Sequence, residues 1–390
     1  MRLDAIPESV KKTLETLENN GFEAYLVGGC VRDMIMNRTV HDYDITTNAL
    51  PEEVIASFPD NGKVTDGIRH GTVGIIWGKT VNEITTYRVD GTYSDARHPD
   101  GVFFTKSLKE DLLRRDFTVN AIACGLSGNI FDPCGGEKDI ENKLLRAVGD
   151  PGKRFSEDAL RIMRALRFSS VLGFEIEKET LLAMREKKEL LSLIAPERIY
   201  SEMTKLLTGR FAANALREAD ILPFGIVPEC EPFEKRTDAE AADAPLSYAL
   251  FLGNEKEKAE SFFKSLRADK KTAREVLKTL KTPLPEDETA MRFCLSENEI
   301  DAVRRVISYN YLKGKIPSRE PYVALLSSAL GKCCRISDLC VTGRDIINTG
   351  LSGEKVGEAL SFLLREVILG RVENEKTSLT AHLKGKFTHI

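Results

Sequence analysis

The sequence has few of the residues that form metal centres and no apolar run that could cross a membrane. Its 390 residues include eight cysteines, five histidines and one tryptophan, and no two cysteines have the CxxC spacing of zinc or redox motifs. We therefore expect reduced thiols and a cytoplasmic location rather than disulfides or a zinc centre. Since no stretch approaches the roughly 18 apolar residues of a membrane span, we expect no membrane partner.

The sequence also has no strong charge imbalance and no signal-peptide core. Its net charge of −4 neither favours nor excludes a nucleic-acid partner, because attraction to phosphates depends on where the basic residues lie. The first twenty residues lack a central apolar segment, and their spacing predicts an amphipathic helix. With 42% hydrophobic and 30% charged residues, the chain has the composition of a globular protein rather than a disordered one.

The chain changes character once, near residue 150. Before that point, short apolar and β-branched runs alternate with glycine-bearing turns, which predicts a mixed sheet with helices. After it, apolar residues recur every three or four positions, which predicts helices for almost all of the remaining chain. Breaks are expected at 230–245, as an acidic linker, and at 281–289. The predicted fold class is α+β, with a mixed-sheet head followed by an all-α part.

Two aspartates near the N-terminus have the spacing of a metal site. In the stretch LVGGCVRDMIMNRTVHDYDI, residues 26–45, Asp42 and Asp44 flank Tyr43. In an extended strand, residues i and i+2 point to the same side, so the two carboxylates would lie side by side. Mg²⁺ prefers a few carboxylates and completes its octahedron with water and substrate phosphates. A solvated Asp-x-Asp turn without a ligand is the common alternative.

A candidate phosphate-binding element precedes this pair. Gly28 and Gly29 end a strand and open a helix, so the backbone can approach an anion there, and Arg32 would add a charged fork. Alone, a Gly-Gly pair before a helix is usually only a tight turn. Together with Asp42 and Asp44, it combines phosphate and metal binding in one strand-turn-helix-strand unit, as phosphoryl transfer requires.

The motifs of the chain, in their order, resemble those of one enzyme family. They are GGCVRD with HDYDI, RRDFTVNAIA, FDPCGGEKDI, RFSEDALRIMRALRF and PERIYSEMTKLL. This set is similar to the successive motifs of the bacterial class II CCA-adding tRNA nucleotidyltransferases and their sister poly(A) polymerases, and it covers residues 22–210. The stretch 336–379 resembles the tail of the CCA-adding enzymes of Gram-positive-type bacteria, whereas 211–335 is too diverged to match.

The resemblance implies a domain order, an activity and partners. It implies a polymerase-beta-like nucleotidyltransferase head over 1–150, a neck with a base-selecting helix over 151–225, a body over 226–320 and a tRNA-contacting tail over 321–390. The implied reaction is template-independent addition of C, C and A to the 3′ end of tRNA from CTP and ATP, with Mg²⁺ as cofactor and pyrophosphate as product. The oligomeric state is left open, a homodimer included.

The resemblance also assigns metal and nucleotide contacts. Asp42 and Asp44 match the metal-binding aspartates: one ion would activate the tRNA 3′-hydroxyl for in-line attack on the α-phosphate, and the other would hold the triphosphate. A third carboxylate, Asp116 or less favourably Glu83, is left undecided. The matching nucleotide contacts are Gly29, Arg32 and Arg115.

Base choice is predicted for the helix of RFSEDALRIMRALRF. Asp158 and Arg161, at i and i+3, are expected to share one helix face. A carboxylate accepts and a guanidinium donates, which matches the amino group and unprotonated ring nitrogen of cytosine and adenine but not uracil or guanine. The matching family residues have this role. Arg164 and Arg167 would continue the row along the path of the nucleotide or primer end. An exposed, salt-bridged helix that begins at Glu157 is the alternative.

Two related activities and one non-enzymatic role are the competing hypotheses. A poly(A) polymerase of the same superfamily usually has an arginine-rich insertion after the strand IIWG, which this chain lacks. Partial enzymes that add only CC or only A are a further alternative. Enzymes that add only CC lack the flexible loop that lets specificity pass from C to A, and the segment 90–104 resembles that loop, with Arg97-His98-Pro99 where two arginines are usual. A tRNA-binding module without activity would be expected to lose Asp42 and Asp44, and both are present.

Overall fold

A computed structural model describes residues 6–90, 102–253 and 255–387 of the protein. The chain divides into two units, Met1–Val227 and Pro228–Ile390. In the described residues, the first unit contains a mixed sheet and a set of helices, and the second contains helices alone. This confirms the predicted α+β class, while the four-part domain division stays a proposal. None of the described helices is long and apolar enough to cross a membrane.

The first unit begins with the sheet and ends with helices. Its strands are β1 (Ala24–Val27), β2 (Asp44–Thr47), β3 (Gly62–Val64), β4 (Thr72–Trp77), β5 (Thr80–Thr86), β6 (Arg88–Asp90), β7 (Val102–Phe104), β8 (Ala123–Cys124), β9 (Ile130–Phe131), β10 (Leu144–Leu145) and β11 (Glu175–Ile176). Its helices are α1 (Glu8–Asn19), α2 (Gly29–Ile35), α3 (Pro51–Ser57), α4 (Leu108–Leu113), α5 (Gly136–Glu141), α6 (Pro151–Glu157), α7 (Leu160–Leu172), α8 (Lys178–Lys187), α9 (Pro196–Leu207) and α10 (Ala212–Leu216). The residues Thr118–Asn120 form a short 3₁₀ turn.

Seven strands form one mixed sheet in the order β3-β4-β5-β2-β1-β8-β9. Strands β2 and β5 are parallel, and the other neighbouring pairs are antiparallel. Leu26 pairs with Ile45 on one side of β1 and with Cys124 on the other. This register places the end of β1 beside the start of β2 and the residues just before β8, so these three segments meet at one edge.

Helix α1 is held to the sheet by buried polar groups as well as apolar ones. Leu14 and Leu17 are fully buried, as the predicted amphipathic helix requires. The hydroxyl of Thr13 accepts hydrogen bonds from Trp77 Nε1 at 2.9 Å and Asn82 Nδ2 at 2.8 Å. Because Thr13 is itself buried, this oxygen satisfies two donors that would otherwise lose their partners inside the protein.

Helix α7 is the centre of the helical part of the first unit. It packs against α9 and α10, with ten of its side chains buried. The turn that follows α9 lies close to α7: a Cβ at Gly209 would lie 2.0 Å from Ser170 Oγ. Strands β10 and β11 pair in parallel, so residues before and after position 150 share hydrogen bonds. The arginines of α7 therefore have a rigid support.

The second unit contains the helices α11 (Glu231–Glu234), α12 (Asp238–Ala242), α13 (Ala244–Leu252), α14 (Ala259–Ser265), α15 (Lys270–Lys281), α16 (Glu288–Glu297), α17 (Ile300–Leu312), α18 (Glu320–Leu330), α19 (Gly343–Ile347), α20 (Glu354–Ile368) and α21 (Lys376–Phe387). One apolar cluster joins α16, α17 and α18, and a second joins α19, α20 and α21. The predicted break at 281–289 lies between α15 and α16.

The expectation of a linker at 230–245 was wrong. This segment folds into α11, α12 and the start of α13, and Phe233 is 1% exposed. Thr237 and Glu240 form a capping box that begins α12. The acidic composition that indicated a linker reflects capping residues at successive helix starts, where carboxylates are favoured.

Candidate active site

The turn after β1 brings three parts of the chain together. Gly28 has φ of 79°, a left-handed conformation that favours glycine, and its N–H donates to the Ile122 carbonyl at 3.1 Å. The atoms nearest to a Cβ built at Gly28 are Arg115 Nη1 at 3.3 Å, the Asn120 carbonyl oxygen at 3.9 Å and Asp44 Oδ2 at 3.9 Å. The glycine thus lets the backbone lie against an arginine and a carboxylate at once.

The two candidate metal ligands lie at the start of β2. The strand begins at Asp44, and Asp42 lies two residues earlier; both are exposed, whereas Tyr43 between them is half-buried. Desolvation by the surrounding protein raises the pKa of the Asp44 carboxyl above its usual value; the Arg115 guanidinium opposes this rise, and the Asp42 carboxylate adds to it. A cation between the carboxylates would favour their ionised form.

This donor set fits a hard divalent cation that keeps most of its own ligands. Within 6–90, 102–253 and 255–387, no group of three His, Cys, Asp or Glu side chains is arranged to hold a metal ion. Mg²⁺ is commonly bound by one or two carboxylates, with waters and substrate phosphates completing its coordination. Asp42 and Asp44 match that chemistry, and a zinc-type site would need more protein ligands.

The two candidates for a third carboxylate lie in different surroundings. Glu83 pairs in register with Asp44 on the neighbouring strand and is exposed. Asp116 is buried, and its Oδ2 accepts from Arg164 Nε at 2.8 Å and Nη2 at 2.5 Å. Its Oδ1 accepts from the Phe117 N–H and from Asn120 Nδ2. With both oxygens engaged by protein donors, Asp116 orients Arg164.

Arg32 is held beside the glycine turn by an amide and a carboxylate. Its Nη1 donates to Asn120 Oδ1 at 2.7 Å and its Nε to Asp33 Oδ1 at 2.9 Å. A Cβ at Gly29 would lie 3.5 Å from Arg32 Nη2. The side chain of Arg32 is 9% exposed, so the protein fixes its guanidinium within a few ångströms of the turn.

A second carboxylate organises Arg115. Asp111 is fully buried and forms ion pairs with Arg115 at 3.2 Å and Arg114 at 2.8 Å. Although burial raises the pKa of the Asp111 carboxyl, the Arg115 and Arg114 guanidinium groups bring it below its usual value. The backbone N–H of Arg88 also donates to Asp111 Oδ1. Asp111 therefore links Arg115 to β6, the strand that precedes the segment 91–101.

The expectation that Asp158 and Arg161 share a helix face was wrong. Helix α6 ends at Glu157 and α7 begins at Leu160, and Asp158 between them has extended backbone angles. Its Oδ1 accepts from the Leu160 N–H at 3.1 Å, which ends one helix and starts the next in the manner of an Asx turn. Helix propensity alone is too weak to prevent such a break.

The side chains of Asp158 and Arg161 have separate partners. Asp158 Oδ2 lies 3.5 Å from Arg198 Nη2, on α9. Arg161 Nη1 donates to Glu157 Oε2 at 2.9 Å, and its Nη2 donates to the Arg114 carbonyl at 3.2 Å. The Arg161 and Glu157 side chains are only 10% and 14% exposed. This pair therefore differs from the solvated helix face that the alternative hypothesis describes.

Arg161, Arg164 and Arg167 form a row along α7 at spacings of three. Arg167 Nε pairs with Glu202 Oε2 at 2.8 Å. The Asp116 carboxylate raises the pKa of Arg164, whereas burial lowers the pKa of Arg167. All three guanidinium groups are thus fixed by carboxylates before any nucleotide is present.

Some residues of the site were missed by sequence reasoning. Asn120 was signalled by its place in RRDFTVN, and Asp111, on α4, by its position four residues before Arg115, which lies just beyond the end of that helix. Phe168 and Arg198 had no signal, because Arg198 pairs with Asp158 40 residues away, and the Phe168 ring contacts Arg32 and Phe117 in distant parts of the sequence. The residues Arg97, His98 and Pro99 of the predicted loop lie outside the described residues.

The motif FDPCGGEKDI packs against the Thr118–Asn120 turn of the site. Asp132 accepts hydrogen bonds from the Gly136 and Glu137 N–H groups at the start of α5. A Cβ at Gly136 would lie 2.1 Å from the Thr118 carbonyl oxygen, so only glycine allows α5 to pack on the Thr118–Asn120 turn. This turn carries Asn120, the partner of Arg32.

Three family models match consecutive parts of the chain. They are described as "Poly A polymerase head domain" over residues 24–146, "Probable RNA and SrmB- binding site of polymerase A" over 173–223 and "tRNA nucleotidyltransferase domain 2 putative" over 237–383. Together they extend over most of the two units, with the first covering the sheet, the glycine turn and both candidate metal ligands.

Relatives that match all or about half of the chain agree in their description. A CCA-adding enzyme of Limosilactobacillus fermentum is 36% identical over 399 residues, which cover 97% of this chain and 98% of that protein. The CCA-adding enzyme of Lactobacillus helveticus is 49% identical over 220 residues, 56% of this chain and 55% of that protein. The crystal structure of the Bacillus stearothermophilus CCA-adding enzyme in complex with CTP is 33% identical, with a TM-score of 0.82 over 97% of this chain and 96% of that one. The chain therefore belongs to the CCA-adding enzymes, and it is a nucleotidyltransferase.

Proposed function

We propose that this protein adds C, C and A, in that order and without a nucleic-acid template, to the 3′ end of tRNA, using CTP and ATP and releasing pyrophosphate. The observation that supports it most directly is the turn at Gly28. There Asp44, of the acidic pair, and Arg115 both lie within 4 Å of one Cβ position. Family membership supports the choice of tRNA, CTP and ATP.

The acidic pair provides the metal site in this proposal. Bound Mg²⁺ ions would polarise the tRNA 3′-hydroxyl and offset the negative charge of the triphosphate. Asp42 and Asp44 would hold them with their carboxylate oxygens, and waters and phosphate oxygens would fill the remaining positions. The chain needs no nucleophile of its own, because the 3′-hydroxyl attacks the α-phosphate and pyrophosphate leaves with the electrons of the broken P–O bond.

The arginines around the glycine turn bind the phosphates. Gly28 and Gly29 allow the backbone to approach the nucleotide closely, with Arg115 3.3 Å from the Cβ position of Gly28 and Arg32 3.5 Å from that of Gly29. Arginine suits this role because its planar fork matches phosphate oxygens in geometry and charge. Asp111 and Asn120 hold the two guanidinium groups, so little conformational entropy is lost when a triphosphate binds.

Asp158 and Arg161 select the base. Asp158 would accept from the exocyclic amino group of cytosine or adenine, and Arg161 would donate to the adjacent ring nitrogen. Both side chains would have to exchange partners on nucleotide binding, Asp158 from Arg198 and Arg161 from the Arg114 carbonyl. A site built on hydrogen bonds can reject a mismatched pattern by about 10⁴ or more, because the wrong base leaves buried groups unpaired.

The test is nucleotide addition to tRNA ending at its discriminator base, with Mg²⁺ and each labelled nucleotide alone or in combination. We expect two C residues from CTP, one A from ATP after them, and then arrest. Asp42→Ala and Asp44→Ala are each expected to abolish addition. Asp60→Ala, which removes an exposed carboxylate elsewhere in the first unit, is the control and should retain full activity.

Other products would identify other functions. Long A tracts would make the protein a poly(A) polymerase. Addition that stops after CC, or that gives only A on a tRNA already ending in CC, would make it a partial enzyme. Binding of tRNA without addition of any nucleotide would contradict the proposal.

A further inference from the structure

Three arginines of the site surround one aromatic ring. The Cζ atoms of Arg32, Arg164 and Arg167 lie 5.4, 5.4 and 4.1 Å from the ring centroid of Phe168. Arg32 belongs to α2, whereas the other two belong to α7. A guanidinium within about 6 Å of a ring centroid is attracted by the ring quadrupole. The Phe168 ring therefore contacts arginines of both α2 and α7.

The Phe168 ring is fixed by its own packing. It is 8% exposed and meets the fully buried Phe117 ring edge-on, with centroids 5.7 Å apart and an interplanar angle of 79°. Phe117 directly follows Asp116, the carboxylate that pairs with Arg164. The turn that orients Arg164 therefore also fixes the ring beneath it.

The contact with the ring does not use the in-plane hydrogen-bond donors of the arginines. Each guanidinium already has a polar side-chain partner: Asp33 and Asn120 for Arg32, Asp116 for Arg164, and Glu202 for Arg167. A ring attracts a cation through its π face, whereas hydrogen bonds to a guanidinium lie in the guanidinium plane. The aromatic contact can therefore fix the spacing of the three cations without removing donors that an anion needs.

We propose that Phe168 is a positioning residue for the triphosphate of the incoming nucleotide, acting by setting the spacing of Arg32, Arg164 and Arg167. This inference rests on the proposed function. Arg32 Nη2 lies 3.5 Å from the Cβ position of Gly29, at the turn that also approaches Asp44. The phosphates must lie near the acidic pair for transfer to occur, and Arg32 lies at that turn, so the position of the ring that its guanidinium contacts would be felt at the phosphate chain rather than at the base.

The phosphate chain is common to CTP and ATP, which makes the inference testable. We expect Phe168→Leu to raise the KM of CTP and of ATP about tenfold, together with the dissociation constant of inorganic pyrophosphate. The kcat and the preference for CTP over UTP should change much less, because Asp158 and Arg161 are untouched. Phe168→Tyr keeps the aromatic face and should restore values near those of the wild type.

The control variant is Phe174→Leu. Phe174 is 1% exposed in the same unit, and none of the cation–ring contacts among the described residues involves it. The Phe174→Leu variant should lose about as much folding stability as Phe168→Leu, with an unchanged KM for CTP and for ATP. Where Phe168→Leu does not fold, Phe168→Met keeps most of the side-chain volume without a π face, and the same rise is expected.

Calorimetric binding of pyrophosphate needs no turnover, so it separates this inference from the proposed function. A wild-type protein that adds no nucleotide would refute the proposed function alone. Unchanged KM and pyrophosphate affinity in an active Phe168→Leu variant would refute the inference alone. A rise confined to the KM of tRNA would also refute it, by showing that the ring positions the primer.

Discussion

Arg164 and Asp116, 48 residues apart in the chain, form an ion pair in which two nitrogens of the guanidinium donate to one carboxylate oxygen. The other oxygen accepts from Asn120, and Asn120 in turn accepts from Arg32 at 2.7 Å. The buried carboxylate of Asp116 therefore joins the RRDFTVN motif to α7 and, through the Asn120 amide, to α2. Its charge state should matter for the whole first unit.

We expect Asp116→Asn to destabilise the first unit by about 3 kcal/mol at pH 7, because it leaves the Arg164 guanidinium without its counter-ion. Trp77, the only tryptophan of the chain, lies in this unit, so urea unfolding followed by its fluorescence reports on the unit directly. Asp60→Asn, at an exposed position, is the control and should change the free energy of unfolding by less than about 0.5 kcal/mol. Equal effects of the two substitutions would show that the ion pair adds nothing.

The same ion pair gives a defined pH dependence. Burial alone would raise the pKa of the Asp116 carboxyl, but Arg164 lowers it to about 2 from its ordinary value of 3.8. A lowered pKa stabilises the folded state above the unfolded value, and this contribution is lost as the pH falls through the folded pKa. The stability difference between wild type and Asp116→Asn should be constant from pH 7 to about 5 and shrink between about 4 and 2. A difference that grows on acidification would contradict an ionised Asp116.

Nucleotide selection should respond to Asp158 more than to its neighbours. Asp158→Ala removes the acceptor for the amino group of cytosine, so the kcat/KM ratio of CTP to UTP should fall by about a hundredfold or more. The measurement is single-nucleotide addition to the same tRNA primer with each triphosphate. Glu179→Ala, which removes an exposed carboxylate of α8, should leave the ratio unchanged. Loss of activity without loss of selectivity would show that Asp158 only ends α6 and starts α7.

Local geometry made part of this site predictable. The two-residue spacing of Asp42 and Asp44 and the glycines before Arg32 follow from short stretches of chain, and the structure brings Asp44 and Arg115 to the same turn. The break at Asp158 was not predicted, because SEDALRIMR contains no proline or glycine and an aspartate that starts a helix has the same sequence pattern as one on its surface.

Contacts between distant segments were beyond the sequence pattern. Apolar periodicity marks Phe168 as buried, but it does not specify that three cations lie over its ring. Likewise, nothing near Asn120 in the sequence indicates that its amide bridges Arg32 and Asp116. Such contacts depend on how the sheet register and the helix packing place separate segments. They determine which charged side chains of the site lie next to one another.

Two glycines allow opposite predictions for the same substitution. Gly136→Ala would place a Cβ 2.1 Å from the Thr118 carbonyl oxygen, so α5 must shift from the Thr118–Asn120 turn. We expect a loss of about 2 kcal/mol or more in the first unit and a raised KM for nucleotides, since this turn holds Arg32 through Asn120. Gly357, inside α20, has no atom within 4 Å of its Cβ position. Gly357→Ala should stabilise the second unit by about 0.5–1 kcal/mol. Urea unfolding measures both changes, and a change of the same sign in the free energy of unfolding of the two variants would refute the steric argument.

The second unit offers a prediction about Arg292, a buried arginine that donates to backbone carbonyls. Arg292 of α16 is 9% exposed and donates to the carbonyl of Cys333 at 2.8 Å and to those of Val367 and Ile368 at 3.3 and 3.2 Å, at the end of α20. The last carbonyls of a helix have no partner within the helix. The Val367 carbonyl also accepts from the Gly370 N–H, so the guanidinium matters most for the Ile368 and Cys333 carbonyls, and through them it joins the two apolar clusters. Arg292→Lys should cost about 2 kcal/mol, because one ammonium cannot reach carbonyls on both sides.

Urea unfolding followed by far-UV circular dichroism detects the helices of both units, and Trp77 fluorescence follows the first unit alone, so the comparison of the two signals measures this effect in the second unit. Arg304→Lys, on the exposed face of α17, is the matched control and should be neutral within about 0.5 kcal/mol. Arg292→Met keeps the stem but removes the guanidinium donors to the Cys333 and Ile368 carbonyls, whereas the Val367 carbonyl keeps the Gly370 N–H, so this variant should be less stable than Arg292→Lys. If the methionine variant were as stable as the wild type, the burial of the charge would cancel its hydrogen bonds, and apolar packing alone would hold α16 to the end of α20.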